Sequence, residues 1–347
     1  MGVDMPDSAP RITAKVFELP LKYTWKISRN ASDVKPNVLV FLSCQGITGI
    51  GEAAPNIRYE ESAESTLAFI EKARPLLESA DLKQYAHLGQ EILNLGPGQT
   101  AAKAALDIAL LDWNARAMGV PLYRLWGLAP ARTPLTSYSI GIDELPVMQK
   151  KVSEARDFRV LKIKVGTDRD REIIEAVREV TDVPLRVDAN EGWKDKHLAL
   201  ENIQWLAGKG VEFIEQPMPA AQFEDYVWLK GRSPLPLIAD ESVKGLEDIG
   251  GLSEGFHGIN IKIMKSGGLQ QAHHMISLAR AHRLKVMLGC MVETSVAISA
   301  AAALTPLVDY ADLDGHLLIA QDPFRGIGIK NGRIILNDLP GHGAVER

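Results

Sequence analysis

The first third of the chain combines two hydrophobic periods. Apolar and polar residues alternate in three short segments, which predicts an antiparallel meander of strands at 11–19, 37–43 and 47–54. Between the first two segments, residues 21–36 follow no clear period and are predicted to form a loop. The pattern then changes, and helices are predicted at 62–79, 83–93 and 98–118.

From about residue 134, short apolar runs alternate with longer helical segments. Strands are predicted at 135–141, 160–165, 184–188, 211–214, 236–239, 257–262, 284–288 and 308–312, with helices between them. Runs such as PLIA, and VML in KVML, are apolar, as is typical of parallel strands that are buried on both faces. Eight strands that alternate with helices predict an α/β protein with a closed parallel barrel, in which chemistry occurs at the C-terminal strand ends.

The segment after about residue 318 has no place in a barrel of eight strands. Its sequence has hairpin character, with Asn331-Gly332 as the turn signal. We expect this tail to return to the N-terminal meander. The predicted division is therefore an N-terminal α+β domain at 1–130, a barrel at 131–317 and a C-terminal segment at 318–347.

Charged residues recur where the predicted barrel strands end. In the run KIK, Lys162 and Lys164 are two positions apart in a strand, so their side chains share one face. The ends of four later strands carry Asp188, Glu215, Asp240 and Lys262. From Lys164 onward, successive members lie 22 to 27 residues apart, about the length of one βα unit. Isolated surface charges would explain any one of these residues, but they do not explain the shared register.

Three carboxylates without accompanying cysteines or clustered histidines suit a hard cation that prefers oxygen ligands, such as Mg²⁺. We therefore interpret Asp188, Glu215 and Asp240 as metal ligands, with capping of the following helices as the alternative. Lys164 and Lys262 end strands that lie opposite each other in an eight-stranded ring. They could remove a proton from one face of a substrate and deliver one to the other face.

Lysine acts as a base only when it is neutral. Burial, a nearby cation and a neighbouring lysine all favour the neutral form. Lys162 is better placed as a fixed positive charge beside a substrate carboxylate. Lys262 could instead be a solvated lysine and Lys265 the functional one, although the alternation Ile261-Lys262-Ile263 favours Lys262.

Composition limits the size of the domains and the classes of partner that the protein could bind. A chain of 347 residues can hold a barrel of about 250 residues and a second unit of roughly 100. Its net charge of −5 provides no basic surface for nucleic acid or an anionic membrane. The two cysteines have no metal-binding spacing, and neither a signal peptide nor a long apolar run is found. We therefore expect a cytoplasmic protein that binds neither nucleic acid nor membrane.

The motifs KIK, DANEGW, IEQP, ADES and INIKIMKSGG together resemble the enolase superfamily, in its muconate-lactonizing subgroup, over nearly the whole chain. This resemblance implies a (β/α)7β TIM-like barrel under an α+β capping domain built from the N-terminal region and the C-terminal tail. It also implies one Mg²⁺ per subunit, bound by the three carboxylates, and an acid–base pair of Lys164 and Lys262. A homo-oligomer is expected on the same ground. The seventh strand carries no histidine, unlike the mandelate racemase subgroup.

Asp312-Leu313-Asp314-Gly315 resembles the DxD signature of dipeptide epimerases, in which two aspartates bind the α-ammonium group of the substrate. The alternative for both aspartates is capping or a turn after the strand. His316 departs from this signature, which usually continues with proline.

Loops of the capping domain would select the substrate side chains. The candidates are Tyr23, Trp25, Arg29, Arg58 and Tyr59. Either arginine could pair with an acidic side chain or a carboxylate terminus, or could be an ordinary surface residue. The aromatic residues Tyr23 and Trp25 would favour a bulky or cationic group.

The implied function is a Mg²⁺-dependent dipeptide epimerase. It would invert the α-carbon of the C-terminal residue by a two-base 1,1-proton transfer through a metal-stabilised enolate. The alternatives in the same superfamily are an N-acylamino acid racemase, an o-succinylbenzoate synthase and a muconate cycloisomerase. More distant alternatives are an aldolase with Lys164 as Schiff-base lysine and a barrel without catalytic activity.

Overall fold

The computed structural model describes residues 9–28 and 31–347. Its first unit contains an antiparallel sheet of β1 (Arg11–Lys26), β2 (Ala31–Cys44) and β3 (Ile47–Ala53). β2 and β3 are joined by a two-residue turn at Gln45 and Gly46, whose φ angles are 53° and 75°. The predicted meander is confirmed.

The loop predicted over 21–36 is wrong. β1 continues to Lys26, and Trp25 and Lys26 pair with Ser32 and Ala31 of β2 after a register shift. Most residues of this ribbon are partly or fully exposed. Pairing between the two strands keeps the backbone extended, and because little of the ribbon is buried, its sequence shows no regular apolar period.

Three helices follow the sheet. They are α1 (Ala63–Glu78), α2 (Tyr85–Asn94) and α3 (Thr100–Ala117), each within two residues of its predicted ends. α3 is buried along almost its whole length and packs on β3. The two elements approach closely because a side chain at Gly49 or Gly51 would collide with backbone carbonyls of α3.

The second unit is a parallel sheet of eight strands in sequence order. The strands are β4 (Tyr138–Ile140), β5 (Leu161–Lys164), β6 (Leu185–Asp188), β7 (Val211–Glu215), β8 (Leu237–Ala239), β9 (Gly258–Lys262), β10 (Lys285–Gly289) and β11 (Tyr310–Asp312). The two edges meet just before β4, where Thr136 forms a parallel bridge with Ala311 and Ser137 N donates to Ala311 O at 3.1 Å. The predicted closed barrel is therefore confirmed.

Helices connect all successive barrel strands. They are α4 (Leu145–Glu154), α5 (Asp170–Arg178), α6 (Lys196–Ala207), α7 (Phe223–Lys230), α8 (Leu246–Gly255), α9 (Ile263–Ser266) with α10 (Leu269–Ala281), and α11 (Ser295–Ala302). Seven connections between eight strands give the (β/α)7β architecture that the resemblance implied. No helix in the part of the chain that the structure describes is long and apolar enough to cross a membrane.

The C-terminal segment forms two small ladders. β12 (Phe324–Arg325) pairs with β15 (Val345–Glu346), and β13 (Gly328–Lys330) pairs with β14 (Arg333–Ile335). Positive φ angles of 51° at Asn331 and 72° at Gly332 form the predicted hairpin turn. Phe324 and Ala344 pack in one apolar cluster with Leu39 of β2, so the tail contacts the N-terminal sheet. The boundaries at 130 and 317 stay a prediction.

The N-terminal sheet is fixed to the barrel through Glu52, a fully buried residue of β3. Its carboxylate accepts hydrogen bonds from Thr294 N at 2.9 Å, Thr294 Oγ1 at 2.6 Å and Ala297 N at 3.2 Å, at the start of α11. It also accepts one from Asn37 Nδ2 at 2.8 Å, and the same amide donates to Val292 O at 3.0 Å. These bonds hold β2 and β3 above the C-terminal end of β10.

Replacement of Glu52 should destabilise the protein strongly. Glu52→Ala leaves buried donors of Thr294, Ala297 and Asn37 without an acceptor. We expect a loss of about 3 kcal/mol in the free energy of unfolding, measured by urea denaturation. Glu18→Ala, an exposed position on the same sheet, is the control and should leave the midpoint nearly unchanged. Equal midpoints for the two variants would contradict this role of Glu52.

Candidate active site

Three carboxylates meet at the C-terminal ends of β6, β7 and β8. Asp188 and Glu215 are the last residues of their strands and pair in register, and Asp240 directly follows β8. All three are buried, and one oxygen of each lies within 4.8 Å of the others. Parallel strand ends direct these side chains to one point, which we call the acid cluster.

The acid cluster fits the Mg²⁺ ion that the sequence implied. Asp188 Oδ1 accepts a hydrogen bond from Asn190 N at 2.9 Å, and Glu215 Oε1 accepts one from Asn260 Nδ2 at 2.8 Å, which orients both carboxylates. Glu215 Oε2 is buried and accepts no hydrogen bond of good geometry from the described residues. Three buried carboxylates that meet at one point are the donor set that a hard divalent cation prefers.

Helix capping does not account for the acid cluster. The side chain that caps α6 is Asp195, and α7 and α8 are preceded by Gln222 and Gly245. The alternative interpretation of the three acids as caps is therefore wrong. They face one another rather than the backbone of the following helices.

Lys164 and Lys262 lie on opposite sides of the acid cluster. Lys164 Nζ donates to Asp188 Oδ2 at 2.6 Å from β5, and Lys262 Nζ donates to Asp240 Oδ2 at 2.8 Å from β9. Three strands separate β5 from β9 on one side of the ring. The two ammonium groups therefore approach the space above the acids from opposite directions.

Lys162 occupies the centre of the charged network. Its Nζ lies 2.7 Å from Glu215 Oε2, 2.8 Å from Asp312 Oδ2 and 3.0 Å from Asp188 Oδ2. Burial alone would lower its pKa, but the surrounding carboxylates, Asp312 first among them, raise the pKa well above the ordinary value. Lys162 is thus a permanent cation that compensates buried negative charge.

The acids respond to these neighbours in different ways. Burial opposes ionisation of Asp188, but Lys164 and Lys162 lower its pKa to about 2. Burial and the charge of Asp188 raise the pKa of Glu215 to about 7. Burial also opposes ionisation of Asp240, yet Lys262 and Lys265 hold its pKa well below the ordinary value. Lys162 at the centre and lysines on the flanks therefore compensate the buried negative charge together.

The pKa of Lys262 differs from the expectation. Burial lowers it, as expected, but the carboxylate of Asp240 outweighs burial and raises the pKa above the ordinary value. The lysine is charged as long as this contact at 2.8 Å persists.

Lys265 is not an equivalent candidate. It belongs to α9, and its Nζ is held by Asp240 O at 2.6 Å, Asp240 Oδ1 at 2.6 Å and Val243 O at 2.9 Å. It lies behind the strand end and does not line the cavity described below, whereas Lys262 does.

Asp312 and Asp314 lie at the end of β11, beside the acid cluster. Asp312 accepts hydrogen bonds from Lys162 Nζ at 2.8 Å and Ser137 Oγ at 2.7 Å, and Asp314 accepts one from Ser139 N at 2.5 Å. Burial opposes ionisation of Asp312, but Lys162 lowers its pKa, whereas burial and Asp312 together raise the pKa of Asp314 to about 7. Neither side chain caps a helix.

A cavity of about 410 Å³ lies between the strand ends and the N-terminal sheet. Its floor contains Lys162, Lys164, Asp240, Lys262, Asp312 and Asp314. Three of the predicted selectivity residues, Trp25, Arg58 and Tyr59, line the opposite wall. The volume lies in the range of small-molecule sites.

Two predicted selectivity residues contact acidic side chains of the protein itself. Tyr23 borders a smaller adjoining pocket, and its hydroxyl donates to Glu154 Oε2 at 2.9 Å, because this part of β1 turns toward α4. Arg58 lines the cavity, but its Nη2 lies 2.7 Å from Glu191 Oε2, so its charge already has a partner. Arg29 lies outside the described residues.

Sequence reasoning missed a cationic residue of this wall. Lys35 of β2 lines the cavity, yet it falls in the segment that was predicted as a loop. The available signal was that Lys35, Asn37 and Leu39 occupy alternate positions of one strand. Their side chains therefore share a face, on which Asn37 and Leu39 are buried.

Comparison with known proteins agrees with the fold. The family model for the mandelate racemase / muconate lactonizing enzyme N-terminal domain matches residues 11–127, and that for the enolase C-terminal domain-like fold matches residues 147–345. The L-Ala-D/L-Glu epimerase of Bacteroides thetaiotaomicron is 45% identical over 97% of this chain and 88% of its own length.

Two solved structures are similar over the whole chain. A substrate-liganded L-Ala-D/L-Glu epimerase from Bacillus subtilis superposes with a TM-score of 0.92, 29% identity and coverage of 98% of this chain and 99% of its own. A dipeptide epimerase from Cytophaga hutchinsonii, complexed with Mg and D-Ala-L-Val, gives a TM-score of 0.91, 26% identity and coverage of 99% and 96%. The chain belongs to the enolase superfamily, with the N-terminal domain of the mandelate racemase and muconate lactonizing enzymes.

Proposed function

We propose that the chain is a dipeptide epimerase, an isomerase that inverts the α-carbon of the C-terminal residue of a dipeptide. The observation that carries the proposal is the approach of Lys164 and Lys262 to one acid cluster from opposite sides. A 1,1-proton transfer needs this arrangement, because one base removes the α-proton and a second acid delivers a proton to the other face. The relatives named above are epimerases of dipeptides.

Asp188, Glu215 and Asp240 would hold one Mg²⁺ per subunit. When bound, the ion would neutralise the substrate carboxylate and the negative charge that develops when the α-proton leaves. Asn190 and Asn260 hold the oxygens of Asp188 and Glu215 in place for this purpose.

The lysines exchange protons at the α-carbon. Asp240 keeps Lys262 charged through the contact at 2.8 Å, so Lys262 is ready to donate. To act as a base it must lose this stabilisation, and the carboxylate that supplies it is also a proposed metal ligand. If the carboxylate of Asp240 no longer contacts Lys262, burial lowers the pKa of the lysine toward the range in which a neutral amine is accessible.

Asp312 and Asp314 would bind the α-ammonium group of the N-terminal residue. Both carboxylates are buried in the floor of the cavity, where an ammonium group is attracted strongly. Substrates of cycloisomerases and o-succinylbenzoate synthase carry no ammonium group, so this pair favours dipeptides over those alternatives.

The two lysines should have separable stereochemical roles. In D₂O with Mg²⁺, the wild type should exchange the α-proton of both L,L- and L,D-dipeptides in a library that varies the C-terminal residue. Lys164→Met and Lys262→Met should each lose epimerisation by about 10³-fold or more, while each retains exchange with one diastereomer. Mass spectrometry and ¹H NMR measure both quantities.

The proposal fails if the wild type exchanges no member of a broad library. It also fails if both lysine variants exchange both diastereomers as the wild type does. Lys72→Met, which changes a lysine outside the cavity, is the matched control.

Mg²⁺ should stabilise the folded protein through the acid cluster. The expected gain in free energy of unfolding is about 2.7 kcal/mol at a concentration one hundred times the Kd. Asp240→Asn and Glu215→Gln should reduce the shift in Tm that differential scanning fluorimetry records with Mg²⁺. If both variants show the same Mg²⁺-induced shift in Tm as the wild type, the ion binds elsewhere.

Substrate affinity should depend on pH through Asp314. Its pKa of about 7 means that the carboxylate is protonated at lower pH and ionised at higher pH. The KM for a dipeptide should therefore fall as the pH rises through about 7, until the substrate ammonium itself deprotonates near about 8. Asp314→Asn should raise KM and remove the acidic limb of the profile, and an unchanged limb would contradict the assignment.

A further inference from the structure

Lys35 places a positive charge in the wall of the cavity that faces the barrel. It pairs with Leu19 of β1 and lies two residues before Asn37, on the same face of β2. That face is directed at the barrel end, because Asn37 Nδ2 donates to Val292 O at 3.0 Å and Leu39 packs with Val296. The lysine is half-buried and lines the cavity.

Lys35 has no acidic partner among residues 9–28 and 31–347. The other lysines and the arginine of the cavity wall each lie within 3.0 Å of a carboxylate oxygen, namely Lys162, Lys164, Lys262 and Arg58. Burial lowers the pKa of Lys35, and no carboxylate opposes this effect. A half-buried ammonium group without a counter-charge is costly, so an anion that enters the cavity would be favoured beside it.

The charged groups of a dipeptide backbone are already accounted for. In the proposed function, the acid cluster with its cation binds the carboxylate, and Asp312 with Asp314 binds the ammonium group. The charge of Arg58 is offset by Glu191. Near Lys35 the wall contains Trp25, Val34, Pro36 and Val292, which supply apolar contacts. What remains for Lys35 is a substrate side chain.

We propose that Lys35 is a specificity-determining residue whose ammonium group pairs with an acidic side chain of the dipeptide. The inference rests on the proposed function and deepens it, because it names the substrate class. An aspartate or glutamate residue would be preferred over its neutral amide, which has nearly the same shape and lacks the charge.

The test measures this preference with isosteric pairs in competition. Wild type and Lys35→Met are compared with L-Ala-L-Glu against L-Ala-L-Gln, and with L-Asp-L-Ala against L-Asn-L-Ala, by deuterium incorporation at the α-carbon with Mg²⁺. In one pair the wild type should favour the acidic member by about 10- to 100-fold in kcat/KM. The pair that shows the preference identifies the residue that carries the acid.

Lys35→Met should reduce that ratio to near one, and exchange of the neutral member shows that the variant is folded. Lys35→Arg keeps the charge and should retain the preference. Lys35→Glu should favour L-Ala-L-Lys over L-Ala-L-Gln, because the charge of the wall is reversed. Lys15→Met, an exposed lysine of the same sheet, is the control and should retain the wild-type ratio.

Three outcomes would overturn the inference in distinguishable ways. If the wild type exchanges dipeptides without preferring an acidic member of either pair, Lys35 does not select acids and the epimerase function stands. The same holds if the preference survives in both Lys35→Met and Lys35→Glu. If the wild type exchanges no dipeptide at all, the proposed function fails, and the role of Lys35 fails with it.

Discussion

Compensation of buried negative charge is the constraint on which the rest of the site depends. Asp188, Glu215 and Asp240 meet within 4.8 Å because adjacent parallel strands end at the same level. Such a cluster would be unstable in a fold that supplied no cations. Lys162 at the centre, Lys164 and Lys262 on the flanks and Lys265 of α9 provide that compensation. Two of these groups, Lys164 and Lys262, are also the ones proposed to exchange protons above the cluster.

The same constraint links two parts of the proposed substrate site. Lys162 contacts both the acid cluster and Asp312, with Nζ–O distances of 2.7 to 3.0 Å. The pKa of Asp314 is raised first by burial and then by the negative charge of Asp312. A change in charge at the acid cluster therefore alters the electrostatic potential where the ammonium group of a substrate would bind. The floor of the cavity acts as one electrostatic unit rather than as separate subsites.

The barrel was predictable from sequence because most positions of its strands are apolar and charged residues recur where the strands end. Each predicted barrel strand is found, with Asp188, Glu215 and Lys262 at strand ends. The β1–β2 ribbon was not predictable in this way, because most of it is exposed and its pairing shifts register between Pro20 and Trp25. Contacts such as Arg58 with Glu191 depend on loops that meet only in the folded chain.

The difference between the barrel strands and the β1–β2 ribbon also divides the proposed catalytic residues from the proposed specificity residue. The lysines and acids are held by short strands inside a closed ring, where few sequences satisfy the packing and charge requirements. Lys35 stands on a ribbon that is attached through Asn37 and Glu52, yet its own side chain is only half-buried. A substitution there changes the charge of the wall without disturbing those buried bonds. The wall can therefore vary in charge while the distances between Lys164, Lys262 and the acids stay fixed.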